Sequence, residues 1–155
     1  SLADVARTSA RFLNRPLGTG TRVLLDDLLA QAGMEAQAIR GYALNEPSHT
    51  AIAQAVAAGA ADVGMGIEVA ARARGLDFVP LVHERYHLAC LKASLDQPAT
   101  LALRNLLQTP EWLAQMATLP GYSPWQCGEV QAMNTVLPWW QFTRKKRTSE
   151  PRKKP

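Results

Sequence analysis

The sequence has few cysteines, few charged residues and no long apolar run. Its two cysteines, Cys90 and Cys127, are too few and too far apart for a disulfide framework or a paired-cysteine metal site, which favours a reducing compartment. Cys90 lies in an apolar run and is predicted to be a small buried residue. No stretch approaches the roughly 20 consecutive apolar residues of a membrane helix, and the N-terminus lacks the pattern of a secretory signal. We therefore expect a cytoplasmic protein without membrane contact, with a periplasmic location as the alternative.

The composition is that of one folded domain. The chain has 155 residues, of which 47% are hydrophobic and 19% are charged, and this is enough to build a core. Collagen, coiled coil and extended disorder are excluded by the same figures. The chain begins at Ser1, without a methionine and inside an amphipathic segment. We therefore expect it to be a piece of a longer protein.

The positive charge is concentrated at the C-terminus. The whole chain has a net charge of +4, but residues 144–155 contain seven basic residues and one acidic residue, a net charge of +6. The preceding 143 residues contain ten basic and twelve acidic residues, a net charge of −2. A basic tail without apolar residues is predicted to be disordered. The alternative is a weak contact with DNA or a membrane, because such runs bind phosphate without sequence preference.

Predicted strands alternate with predicted helices along most of the chain. This alternation indicates an α/β fold with a mostly parallel sheet. Apolar spacing and terminal glycines predict helices at residues 2–10, 21–32, 49–58, 68–74 and 98–118. Alternation and β-branched or aromatic residues predict strands at 11–14, 39–44, 61–67, 77–82 and 85–91.

The most informative segment lies between the first strand and the second helix. It provides glycines, which let a ligand approach the main chain, and hydroxyl groups that can donate hydrogen bonds. The first turn of the following helix leaves amide groups without partners, and the helix dipole favours negative charge there. The pattern is neither a Walker A motif nor GxGxxG. It predicts either an oxyanion site or an ordinary turn with a threonine N-cap. The candidate ligand-binding residues are Asn14, Arg15, Gly18, Thr19, Gly20, Thr21 and Arg22.

A second loop precedes the third helix. Ser48, His49 and Thr50 can donate hydrogen bonds there, and Glu46 would have to face solvent for an anion to bind. His49 is either a ligand contact or a surface residue of the first helical turn. Because helix N-termini in consecutive strand–helix units point towards the same sheet edge, the two loops are expected to converge on one site.

The remaining motifs argue against catalysis. His83-Glu84-Arg85-Tyr86-His87 matches the HExxH zinc motif, and Glu111 could supply a third ligand. The surrounding residues favour a strand, on which positions four apart lie about 13 Å from each other, too far for one metal. Asp26 and Asp27 do not face each other on a helix. We therefore expect no enzyme and no metal or other cofactor, with a zinc hydrolase as a remote alternative.

Several segments in order resemble a known family. The segments are RFLNRPLGTGTRVLLDDLL, AIAQAVAAGAADVGMGIEVAARARGLDFVPLVHERYHLAC, TLPGY and CGEV. They resemble the substrate-binding-like domain of the type 2 periplasmic-binding-protein superfamily. This domain occurs in molybdate-responsive bacterial transcriptional regulators and fused to molybdopterin biosynthesis proteins. The resemblance covers about residues 1–130, and the family's glycine-rich stretch corresponds to Gly18–Arg22, with Thr19 in place of the usual serine.

The resemblance implies a fold and a domain organisation. The expected architecture is a three-layer type 2 lobe with a mostly parallel sheet and a returning C-terminal helical segment, with part of the first lobe missing. Residues 1–130 would form this domain, 131–143 a tryptophan-rich extension and 144–155 the basic tail.

The resemblance also implies a function. A small anion such as molybdate or tungstate would bind in the cleft, and the domain would act as the ligand sensor of a helix-turn-helix regulator whose DNA-binding part is absent from this chain. An anion-transport binding protein and a domain accessory to molybdopterin biosynthesis are the alternatives. A homodimer is possible, since an isolated lobe exposes its cleft face.

Overall fold

The structure is a computed structural model that describes residues 1–140. The chain divides into two compact units, Ser1–Cys90 with Ala114–Pro124, and Leu91–Leu113 with the chain from Trp125 onward. Its strands are β1 (Phe12–Leu13) and β2 (Val63–Gly64). Its helices are α1 (Leu2–Thr8), α2 (Gly20–Gln31), α3 (His49–Ala57), α4 (Glu68–Arg72), α5 (Pro98–Leu107), α6 (Pro110–Ala117) and α7 (Met133–Val136). Short 3₁₀ helices lie at Ala36–Ala38 and Lys92–Ser94. No helix within residues 1–140 is long and apolar enough to cross a membrane.

A small parallel sheet organises the first unit. Phe12 pairs with Val63 and Leu13 with Gly64, and an isolated parallel bridge joins Asn14 to Asn45. The parallel direction agrees with the sequence-based expectation. The sheet within residues 1–140 has two strands, however, so a full three-layer lobe goes beyond what these residues show.

Helix α2 packs its apolar face on this sheet. Leu25 and Leu29, one turn apart, are buried with Phe12, Ile39 and Met65 in the larger core cluster. Burial of a leucine side chain contributes about 1.5–3 kcal/mol, so this face fixes the helix against β1. The helix ends as predicted at Gly33, where the amide of Met34 donates to the carbonyl of Leu29 in a Schellman arrangement.

A second core cluster places α3 against β2. It consists of Leu13, Ile52 and Ala61. Gly64 is required here because a Cβ atom at this position would lie 2.3 Å from Cγ2 of Ile52. The close approach holds the start of α3 near the end of β2.

Three predicted strands are wrong. Residues 39–44 form a turn instead, in which the amides of Tyr42 and Leu44 donate to the nearby carbonyls of Ile39 and Gly41. Residues 77–82 and 85–91 form neither helix nor strand. Residues 77–84 and 86–90 make no backbone hydrogen bond within the described chain. In residues 77–82 and 85–91, strand propensity does not produce a strand without a neighbouring strand to pair with.

Other expectations need correction in the second half of the chain. The single helix predicted at 98–118 is two helices, because Pro110 has no amide hydrogen and restricts Thr109 before it. Cys90 is exposed rather than buried, and Cys127 is a half-buried free cysteine. The indole rings of Trp139 and Trp140 are exposed. The end of the tryptophan-rich extension and the basic tail, residues 141–155, lie outside the described residues.

Candidate functional site

Both predicted loops follow parallel segments of the sheet. The chain leaves β1 at Asn14 and enters α2, and it leaves the Asn45 bridge and enters α3. Because β1, β2 and the Asn45 bridge run in the same direction, their carboxyl ends lie at one edge. This edge of a parallel sheet is where α/β proteins bind ligands.

Asn14 fixes the beginning of the first loop. Its side chain is fully buried and donates to the carbonyl of Tyr42 at 3.1 Å, while its Oδ1 accepts from the amide of Arg15 at 2.8 Å. Its main-chain carbonyl accepts from the amide of Glu46 at 3.0 Å. All of these bonds are internal, so Asn14 positions the loop rather than presenting a donor to a ligand.

Arg15 connects the two loops. Its Nη1 donates to the main-chain carbonyl of Glu46 at 3.0 Å, so the guanidinium lies against the segment that leads to α3. Its Nε is buried and has no hydrogen-bond partner within the described chain. A buried donor without a partner costs about 1–3 kcal/mol, and such a group in a native protein calls for a water, an ion or a ligand.

The start of α2 presents free main-chain donors. Gly18 has a φ of 85°, a conformation that favours glycine, and it turns the chain into the helix. The Thr19 hydroxyl donates to the carbonyl of Pro16 at 2.8 Å and does not cap the helix. The amides of Gly20 and Thr21 make no hydrogen bond within residues 1–140, and the space where a Cβ of Gly20 would stand is open.

Arg22 is directed into the protein. It is 7% exposed, its Nε lies 3.2 Å from Oδ1 of Asp26, and its guanidinium stacks on the ring of Tyr42 at 4.0 Å. The Tyr42 hydroxyl in turn donates to Asp26. The structure therefore gives Arg22 a packing role within α2, where its charge is paired with Asp26.

The start of α3 is partly capped by the side chain of the residue that precedes it. Ser48 is the N-cap, and its hydroxyl accepts from the amide of Ala51 at 3.0 Å. The amides of His49 and Thr50 make no hydrogen bond within the described residues. Thr50 is exposed, whereas His49 is half-buried. Two of the first amides of α3 thus stay available, as they do in α2.

His49 is the titratable group of the site. Its Nδ1 is buried and has no hydrogen-bond partner in the described part of the chain, and a Cβ at Gly66 would lie 3.7 Å from it. Burial of the ring and the charge of Arg15 lower the pKa of His49, while the carboxylate of Glu84 opposes them. The ring is therefore mostly neutral at pH 7.

Contacts bring together some candidate residues and leave others apart. Asn14, Arg15 and His49 belong to one cluster, joined by hydrogen bonds and by the field of Arg15. Gly20 and Thr21 lie at the same sheet edge but make no hydrogen bond to the loop before α3. Gly66 was not among the candidate residues of the sequence analysis, although its position directly after the buried Met65 was a signal.

The zinc motif lies outside the helices and strands of the structure. His83 and His87 lie in the exposed, irregular segment that precedes residue 91. Within residues 1–140 no three His, Cys, Asp or Glu side chains are grouped closely enough to hold a metal ion. A cavity of about 200 Å³ lies beside β1, lined by residues that include Arg11 and Arg40, and none of the candidate residues lines it.

The chemistry of the edge suits a negatively charged oxygen ligand. Its unpartnered groups are main-chain amides at two helix starts, the Nε of Arg15 and the Nδ1 of His49. Amides and a guanidinium only donate hydrogen bonds, and both helix dipoles add positive potential. The nearby Glu84 is the acidic group whose charge acts on His49.

Comparison with known proteins agrees with this architecture. The model of the PBP superfamily domain matches residues 1–108. The chain is similar to the uncharacterised protein YvgK of Bacillus subtilis (strain 168), with 34% identity over 127 residues, which are 82% of this chain and 41% of that protein. It is also similar to an uncharacterised protein encoded in the 5′ region of a 2Fe-2S ferredoxin gene of Clostridium pasteurianum, with 30% identity over 109 residues, which are 70% of this chain and 96% of that protein. The chain thus spans less than half of the Bacillus relative. No solved structure matches it significantly. The chain belongs to the PBP superfamily, the periplasmic-binding-protein-like domains.

Proposed function

We propose that this domain binds a small, fully deprotonated oxyanion, of which molybdate and tungstate are the preferred examples. The observation that carries the proposal is the buried Nε of Arg15, which has no hydrogen-bond partner among residues 1–140 and lies beside the loop that begins α3. Around it, the free amides at the starts of α2 and α3 supply further donors. The ligand would bind where these donors meet the carboxyl edge of the sheet.

The donor set explains the preference for a fully deprotonated anion. Molybdate and tungstate carry no proton at neutral pH, so they accept hydrogen bonds and donate none. Phosphate is partly protonated at neutral pH and is favoured by a site with a carboxylate acceptor. Residues 14–22 contain no acidic residue. Each charge-assisted hydrogen bond contributes about 1.5–3 kcal/mol, so micromolar affinity requires several of these donors together.

Binding without catalysis fits a sensor role. In this proposal the domain is the ligand-sensing part of a bacterial transcriptional regulator, and it contacts DNA through a domain outside this chain or weakly through the basic tail at 144–155. It acts in the cytoplasm and pairs with a second copy of itself. The relative YvgK, in which the matched region is 41% of the length, supports the view that this domain operates within a longer protein.

Glu84 lies in an irregular segment of the chain. Residues 77–84 and 86–90 of this segment form no backbone hydrogen bond within residues 1–140. Glu84 also places a negative charge near His49, which a bound anion must overcome.

Isothermal titration calorimetry on the 155-residue chain tests the proposal. Molybdate, tungstate, sulfate and phosphate are titrated separately, and we expect the first two to bind most tightly. Arg15→Ala should weaken binding about 10- to 150-fold, the equivalent of one charge-assisted hydrogen bond. Arg40→Ala is the matched control, because it removes the same charge from an exposed arginine that lies outside the candidate site and donates to the carbonyl of Ser9. Absence of heat with all four anions, or equal weakening by both variants, would refute the proposed site.

A further inference from the structure

The Nδ1 atom of the half-buried His49 ring is a buried polar atom that has no hydrogen-bond partner within residues 1–140. His49 is the first residue of α3, and its Nδ1 is buried and makes no hydrogen bond within residues 1–140. Nδ1 lies close to the main chain at Gly66, where any residue with a side chain would place its Cβ in contact with Nδ1. Gly66 carries no side chain that could contact Nδ1. Nδ1 is therefore placed to bond a group that does not belong to the described chain.

Two charged groups act on this ring from different elements. Arg15 follows β1, and Glu84 lies in the irregular segment before residue 91, while the Gly66 main chain contributes no charge. Burial and Arg15 lower the pKa of His49 below its ordinary value, and Glu84 partly opposes this shift. Without an added negative charge, the neutral ring is therefore the dominant form at pH 7.

An oxyanion bonded to Arg15 changes this balance. It places negative charge beside the ring, and an opposite charge within a few ångströms favours the imidazolium form. A fully deprotonated anion brings no proton of its own, so the proton must come from solution. The anion already accepts a hydrogen bond from Arg15, and the charged ring then donates another to it through Nδ1. Both ring nitrogens of an imidazolium carry a hydrogen, so Nδ1 can act as this donor.

We infer that His49 binds the anion as an imidazolium, so that ligand binding by this domain takes up a proton and becomes tighter as the pH falls. This inference rests on the proposed oxyanion site and adds its regulation. The affinity rises by up to tenfold for each unit of pH decrease between the pKa of the free ring and the higher pKa of the ring beside the anion. Below both values the dependence disappears, because the free ring is already charged.

The test is calorimetry with molybdate and sulfate in two buffers that differ in ionisation enthalpy, between about pH 6 and 8. A difference in heat between the buffers counts the protons taken up for each anion bound. We expect uptake approaching one proton, and affinity that increases towards the acidic end. His49→Gln should abolish both the uptake and the pH dependence. His87→Gln is the matched control, since His87 is an exposed histidine of the irregular segment, and it should change neither.

Gly66→Ala is a second variant that leaves His49 in place. Its methyl group would stand 3.7 Å from Nδ1, an ordinary contact that covers the atom without displacing the chain. We expect reduced proton uptake with this variant too. Equal heats in both buffers, or uptake that persists in His49→Gln, would overturn the inference while leaving the oxyanion site standing. No binding of either anion at any pH would overturn the proposed function itself, and the inference with it.

Discussion

Removing the carboxylate of Asp26 should destabilise the domain far more than removing that of its neighbour Asp27. The side chain of Arg22 is only 8% exposed and is paired with Asp26, which also accepts from the Tyr42 hydroxyl. Asp27 is exposed and makes no ion pair within residues 1–140. Asp26→Ala therefore leaves a buried guanidinium without its counter-ion, whereas Asp27→Ala removes only a solvated charge.

The magnitude follows from the burial of the two partners. Breaking a fully buried pair costs about 3–5 kcal/mol. Asp26 is 42% exposed, and Arg22 keeps its stacking on Tyr42 and its weak bond to the Tyr42 carbonyl, so water and these contacts reduce the cost. We expect a loss of about 1.5–3 kcal/mol for Asp26→Ala and of less than about 0.5 kcal/mol for Asp27→Ala.

Urea denaturation followed by circular dichroism at the helix band measures both values. The double variant Arg22→Met, Asp26→Ala completes the comparison, because methionine removes the stranded charge and keeps much of the apolar stem. Its loss of stability should be smaller than the sum of the losses measured for Arg22→Met alone and for Asp26→Ala alone. If Asp26→Ala and Asp27→Ala cost the same, or if the double variant is simply additive, the role given to Arg22 is refuted.

Three further changes test other features. Gly64→Ala places a Cβ 2.3 Å from Cγ2 of Ile52 and should cost about 1–3 kcal/mol of unfolding free energy in the same assay; an unchanged midpoint would contradict the close packing of α3 on β2. Gly20→Ala fills open space at the start of α2 and should leave the unfolding free energy unchanged within about 0.5 kcal/mol. It should weaken molybdate binding, since the methyl group crowds the free amides, and unaltered affinity would count against a role of these amides in binding. The bond from Arg11 lowers the pKa of Asp62 from 3.8 to about 2, so its stabilisation is present above pH 3.8 and is lost as the pH falls towards 2. Asp62→Asn should reduce the fall in unfolding free energy between about pH 4 and pH 2. The same fall in the variant and in the unchanged protein would contradict a stabilising role of the Arg11–Asp62 pair.

The start of α3 and the end of α2 follow from local sequence. Ser48 caps α3 and Gly33 ends α2 because a hydroxyl at one end and a left-handed glycine at the other satisfy amides and carbonyls only a few residues away. The same locality explains why residues 77–91 were wrongly assigned to strands. Their β-favouring side chains are visible in the sequence, but the pairing partner of a strand lies far along the chain.

The identities of the donors that remain free depended on the tertiary structure. In the sequence Arg15 and Arg22 are equivalent arginines flanking a glycine-rich turn. The fold gives Arg22 a partner in Asp26 and a ring to stack on in Tyr42. It buries Nε of Arg15 beside the start of α3, with no hydrogen-bond partner among residues 1–140. Sequence alone thus determined where the amides at the helix starts would be exposed, because those bonds are local. Only the packing of β1, β2 and the Asn45 segment decided which charged groups lie beside these amides. This packing joins residues thirty or more positions apart in the sequence.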